Sequence, residues 1–248
     1  MKSRFIYPVL TFIIILLLWE LGIDWFNVPA YLLPRPIEIF RYIFENLNML
    51  LINTKATALE ACLGFFISIG ISMFLVTIFN FFESVKHGVY PIFIALQTTP
   101  IIALSPLIIV WFGTGLLSKI VVVTLICFFP MIVNTMKGIE EVNQDYFDLF
   151  NLYSASKWTV FRRLKLPFSL PYFFSALKIS STLAVVGAVI GEFVGSRLGL
   201  GYLILTASYR LRTVMMFAAI SMAALTGFVF YFSIVLLEKL LINKKKFN

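Results

Sequence analysis

Glu192 sits in SSTLAVVGAVIGEFVG, an apolar run that offers a carboxylate no water of its own. A charge at the centre of a bilayer costs about 2.5–3.5 kcal/mol on the insertion scale, and less near the boundary, so this side chain must face a partner or water. Two uses fit: it lines the path of a polar solute, or it pairs with Arg197 five residues on. A second polar group, Gln97, Thr98, Thr99 and Ser105, lies in an apolar segment broken by Pro91, Pro100 and Pro106. Polar side chains beside such kinks either hydrogen-bond a small solute or staple helices together. Catalysis finds no residue set. His87 is the single histidine and stands in a polar turn without a Cys or carboxylate cluster. There is no H-E-x-x-H, no G-x-x-x-x-G-K-[ST] phosphate loop and no nucleophile with a histidine base. The chain reads as a non-enzyme that carries neither a metal nor a cofactor of its own.

These groups must be held by membrane helices. The chain has 248 residues, 60% of them hydrophobic and 13% charged, with a mean hydropathy of +0.97. One water-soluble core cannot hide that much apolar surface, so the main solvent is lipid. At roughly 20 residues per crossing, six spans fit an all-α integral membrane protein. They run over about Ile6–Ile23, Ala58–Phe79, the proline-broken segment 90–113, Ile120–Met136, Phe173–Val194 and Met215–Leu237. Ile37, Phe40, Ile43 and Phe44 recur at helical spacing opposite Arg41 and Glu45, which predicts an amphipathic helix in the interface. The division is 1–54 for the first span and this helix, 55–242 for the core with a loop at 140–170, and 243–248 for a basic tail. Gly187, Gly191 and Gly195 are spaced by four, leaving a groove where another helix backbone can approach.

The proline-broken segment is expected to face the protein interior, where neighbours can satisfy the carbonyls freed at each kink. The net charge of +8 does not form a stripe with exposed aromatics, which excludes nucleic acid as the partner. Its 20 Lys and Arg divide 13 to 7 between the two sides of a six-span topology, the larger share lying with both ends. The positive-inside rule then places both termini in the cytoplasm, with Arg197, Arg210 and Arg212 as exceptions outside.

The larger share includes DLFNLYSASKWTVFRRLKLP, Asp148 to Pro167, a basic island between apolar segments. It reads as two short helices, Tyr146–Tyr153 and Trp158–Leu164. Trp158, Phe161 and Leu164 form one face, and Lys157, Arg162, Arg163 and Lys165 the other. Such a unit either lays its apolar face into a partner's groove or rests on lipid headgroups.

The island resembles the cytoplasmic loop of the permease subunits of bacterial binding-protein-dependent ABC importers, whose pattern is E-A-A-x3-G-x9-I-x-L-P. Asp148, Leu149 and Phe150 stand at its start, Ser154 at its turn glycine, and Leu164, Leu166 and Pro167 at its end, with Ala155 and Trp158 between them. LLPRPIEIF, QTTPIIALSPLIIVWFGTGLLSK, ICFFPMIVNT and GEFVGSRLGLGYLI are similar to the members that import nitrate, sulfonate and taurine. The wording of ALQTTP and AVVGAVIGEFVG is nearest to members associated with thiamine-precursor pyrimidines. The resemblance implies the type I importer architecture in the bacterial inner membrane and a permease homodimer. It also implies two ABC ATPase subunits that bind ATP and Mg and dock on the island, and a periplasmic or lipid-anchored solute-binding protein. Two other classes compete: a self-sufficient proton- or ion-coupled carrier using Glu20, Asp24 and Glu192, and a non-transporting membrane scaffold.

Overall fold

The computed structural model describes residues Ser3 to Ile242, with side chains from Ile6 to Leu241; the basic tail 243–248 lies outside the described residues. Helices account for every regular element among them. Lipid dictates this, because a backbone amide in hydrocarbon must find its partner within its own segment.

α1 (Ser3–Phe26) leads through a loop to α2 (Pro36–Glu45), and α3 (Leu47–Phe81) follows after Asn46. α2 is the amphipathic helix expected from the sequence, but residues 47–54 continue into α3. At 35 residues and about 1.5 Å each, α3 is longer than the roughly 30 Å bilayer core and projects beyond it. α4 (Glu83–Gln97) and α5 (Ile101–Phe112) are bent by 104° across Thr98–Pro100. α6 (Leu116–Glu140), α7 (Gln144–Leu152), α8 (Lys157–Val160), a π turn (Phe161–Lys165) and α9 (Leu166–Glu192) come next, and then α10 (Leu200–Tyr209) and α11 (Thr213–Ile242). Among the described residues five helices are long and apolar enough to cross a membrane, and the bent α4–α5 pair makes a sixth candidate.

The core is a bundle of α3, α6 and α9 joined by α11. Gly64 of α3 abuts Val123, and a Cβ added to Gly187 of α9 would lie 3.1 Å from the Val123 Cα. One on Gly191 would lie 3.2 Å from the Lys119 Cα. Gly195 lies beyond the end of α9 at φ 71°, against Thr114. Lipid tails are as apolar as leucine, so close van der Waals contact holds these helices together. Ser180 and Cys127 reinforce the seam: the Ser180 hydroxyl donates to the Cys127 carbonyl at 3.0 Å, and the Cys127 thiol to the Ser180 carbonyl at 3.3 Å.

The proline-broken hairpin does not face the interior of this chain as expected. α4 buries no side chain and α5 buries only Ser105 and Ile108. It lies along one flank of the bundle, leaving its outer side open.

The end of α3, the start of α4, the end of α6 and the island meet on one face of the bundle. Lys86 at the start of α4 pairs with Glu140 at the end of α6, and Lys165 reaches Asn80 at the end of α3. α1 runs antiparallel to α11, with Trp19 against Phe217 and Phe12 sharing a crevice with Phe228.

Gly187→Leu is expected to force α6 and α9 apart at a cost of about 1–3 kcal/mol, lowering the melting midpoint in detergent. Gly70→Ala, where a Cβ meets nothing within 4 Å, should leave that midpoint unchanged or higher.

Candidate functional site

The island is built from local capping rules. The Asn143 side chain accepts the Asp145 amide at 3.1 Å and opens α7, and the Ser156 hydroxyl accepts the Thr159 amide at 3.2 Å and opens α8. Between them the chain reverses at Ser154, φ 50°, with the Ala155 amide donating to the Phe150 carbonyl at 3.0 Å. Ser154 thus takes the left-handed conformation that glycine adopts freely and other residues at a cost of roughly 1–2 kcal/mol.

The island is bolted to the end of α3. Trp158 stacks on Phe81 with centroids 5.9 Å apart, and Phe161 meets the same ring at 5.4 Å. Phe161 is 4% exposed, while Leu164 and Leu166 are half-buried behind it. Lys165 Nζ donates to Asn80 Oδ1 at 2.7 Å and lies 5.5 Å from the centre of the Phe147 ring. The apolar face read as open to a partner therefore has its central residue, Phe161, occupied inside this chain. The open face belongs to α7. Leu152 and Tyr153 are 83% and 80% exposed, Tyr146 and Leu149 about half exposed, and Asp148, Arg162, Arg163 and Pro167 of the same island are exposed too. Leu152 went unread in the sequence, and Tyr146 and Tyr153 were read only as the ends of a short helix. Their signal was large apolar side chains at three- and seven-residue spacing within a polar segment.

A second cluster lies at the opposite face. Glu192 is 1% exposed and pairs with no arginine among the described residues, contrary to the Arg197 alternative. Its Oε1 accepts the Thr57 hydroxyl at 2.7 Å and its Oε2 the Gly201 amide at 2.5 Å. The Leu200 amide donates to Thr57 Oγ1 and the Gly199 amide to Asn53 Oδ1, both at 2.8 Å. Three successive amides at the start of α10 are thus satisfied by side chains from α3 and α9, the positive helix end receiving a carboxylate. Beside it Lys119 of α6 donates to Glu60 Oε1 at 2.9 Å and to Ser196 Oγ at 2.8 Å. Glu60 and Lys119, 4% and 8% exposed, also went unread. A glutamate inside one apolar run and a lysine opening another were the available signal.

Gln97 and Thr98 are exposed at the α4–α5 bend and Thr99 is half-buried there. Thr98 donates to the Ala95 carbonyl at 2.7 Å, and the buried Ser105 to the Ile102 carbonyl at 2.9 Å. Glu20 and Asp24 both pair with Arg35, joining α1 to the start of α2, so the structure does not assemble them with Glu192.

The comparisons with known proteins follow this geometry. Residues 64–244 match the family described as binding-protein-dependent transport system inner membrane component. The chain belongs to that family. It is 36% identical over 244 residues to a formylaminopyrimidine transport permease of Halalkalibacterium halodurans, covering 96% of each chain. It is 33% identical over 234 residues to a probable ABC transporter permease of Haemophilus influenzae, covering 94% of this chain and 96% of that one. A riboflavin transport system permease of Chloroflexus aurantiacus is 33% identical over 247 residues, covering 97% and 92%. The resemblance read from the island and its neighbouring segments is therefore a true kinship. This permease is a multi-pass, all-α membrane protein and the membrane component of a binding-protein-dependent transport system.

Lys119→Met should leave Glu60 buried and unpaired, costing the permease about 3–5 kcal/mol. Adding Glu60→Leu is expected to restore most of the loss, and thermal unfolding of the single and double variants would measure the coupling.

Proposed function

We propose that this permease is the membrane subunit of an ATP-driven importer and that the exposed face of α7 is the seat of its ATPase. One observation carries this reading: four large apolar side chains, Tyr146, Leu149, Leu152 and Tyr153, are exposed in the same short unit as the exposed Arg162 and Arg163. The unit that bears them is fixed to the ends of α3 and α6. An apolar centre with a cationic rim suits a groove on a soluble protein, and Asp148 to Pro167 transmit its movement to the spans. ATP and Mg are bound by the partner. The island side is cytoplasmic, in keeping with the 13 to 7 division of Lys and Arg. A periplasmic or lipid-anchored binding protein delivers the solute to the other face, and two copies of the permease enclose the path, with Gln97, Thr98 and Thr99 on the hairpin lining it.

The solute is a small nitrogen heterocycle of the pyrimidine kind. This follows the relative named for formylaminopyrimidine, 36% identical across 96% of each chain, over the relative named for aliphatic sulfonates, 29% identical across 86% of this one.

Leu152→Glu should leave insertion intact and weaken the ATPase by roughly thirtyfold, the equivalent of about 2 kcal/mol at an interface centre. Co-purification of the ATPase and ATP-dependent uptake of labelled formylaminopyrimidine into proteoliposomes are the measurements. Undiminished co-purification would remove α7 as the seat. Uptake driven by a proton gradient without ATP would overturn the importer reading.

A further inference from the structure

The buried cluster at the face opposite the island joins α3 and α6 to the consecutive elements α9 and α10. Asn53 and Thr57 of α3 and Glu192 of α9 hold the first amides of α10. Lys119 of α6 holds Glu60 of α3 and Ser196 of the α9–α10 link. The backbone is shaped to the same purpose. Gly199 is at φ 115°, and a Cβ on Gly199 or Gly201 would overlap the Glu192 side chain. Parting any of these elements would strand buried carboxylates, an ammonium or amides without partners, each a large penalty away from water. The hairpin α4–α5 has the opposite character. It buries two side chains in all, is broken at Thr98–Pro100 and contains Pro91 and Pro106.

We propose that Glu192 is a positioning residue: with Thr57 and Asn53 it locks α10 to α3, so that the far ends of α3, α6, α9 and α10 form one rigid body against which the α4–α5 hairpin moves during transport. The movement rests on the importer reading; the lock does not. The carboxylate serves here as a double acceptor, and its charge is not the working property. Glu192→Gln keeps an acceptor for the Gly201 amide and offers an N–H to Thr57 Oγ1. The Thr57 hydroxyl hydrogen can then turn to the Asn53 carbonyl, already 3.2 Å away.

The test places nitroxide labels in a Cys62→Ala, Cys127→Ala background on exposed sites, as the pairs Ile52→Cys with Tyr209→Cys and Ile52→Cys with Ile102→Cys. Distances are read by pulsed electron paramagnetic resonance on the complex with its co-purified ATPase, nucleotide-free and then trapped with ATP and vanadate. The 52–209 distance is expected to stay fixed and the 52–102 distance to shift. A nucleotide-dependent 52–209 distance, or an unmoved 52–102 distance in a complex that hydrolyses ATP, would overturn the rigid body.

A second arm uses the permease alone. Glu192→Gln should keep the narrow 52–209 distribution, and Glu192→Ala should broaden it. Should the alanine variant fail to accumulate, Thr57→Val removes the same hydroxyl link with little change of volume and should broaden it too. Broadening by Glu192→Gln, or none by Thr57→Val, would sink the lock. Absence of ATP hydrolysis in the complex would count against the importer reading and leave this arm to decide the lock.

Discussion

The close approach of α6 to α9 is the constraint on which the rest of the bundle depends. Helices in lipid gain nothing by hiding apolar surface from one another, so their association rests on contact distance and on polar bonds between them. Gly187 and Gly191 let the α6 backbone come near enough for both. The Cys127–Ser180 exchange closes the middle of the seam, and Lys119 closes its far end. α3 fits the same seam through Gly64, and α11 covers what remains. With these three helices fixed, both faces of the membrane acquire defined attachment points.

The two faces are finished in different ways. On the island side the joints are aromatic stacks and half-exposed polar bonds: Trp158 and Phe161 on Phe81, Lys165 on Asn80, Lys86 on Glu140. Exposed ion pairs of this kind are weak one by one, and contacts of this sort tolerate adjustment. The π turn at Phe161–Lys165 continues α8 into α9 without a break in helical path, so a push on α8 meets a stiff element. At the other face the joints that hold α3, α6, α9 and α10 are buried and directional. Compliance at one end and stiffness at the other suit a part that receives a force and conveys it.

Much of this was legible from residue order, and the reason is that lipid enforces local rules. Each crossing announces itself by length and hydropathy, and the amphipathic α2 by its Ile and Phe spacing. The α4–α5 bend follows from Pro91, Pro100 and Pro106, and the island from its sudden polarity. What escaped was pairing at long range. Periodicity says which face of a helix is apolar but not which distant helix completes a charge, so Glu60 and Lys119, 59 positions apart, could not be matched. Glu192 was recognised as needing a partner, and the nearest cation in sequence was a poor guide. Its partners are a hydroxyl 135 positions earlier and an amide nine positions later. The orientation of the island escaped for a related reason. An apolar stripe on a short helix looks the same whether it awaits another protein or is already covered by Phe81.

The capping of α10 by side chains from α3 and α9 bears on the order in which the protein assembles. A ten-residue helix is marginal by itself, and this one lacks a cap from its own leading residue, Gly199. Asn53, one of the groups that complete it, was synthesised 146 residues before the amide it binds. α10 therefore cannot settle until α3 and α9 have already found each other in the bilayer. Its helical register becomes a late checkpoint of biogenesis, set only in copies whose bundle is correctly closed.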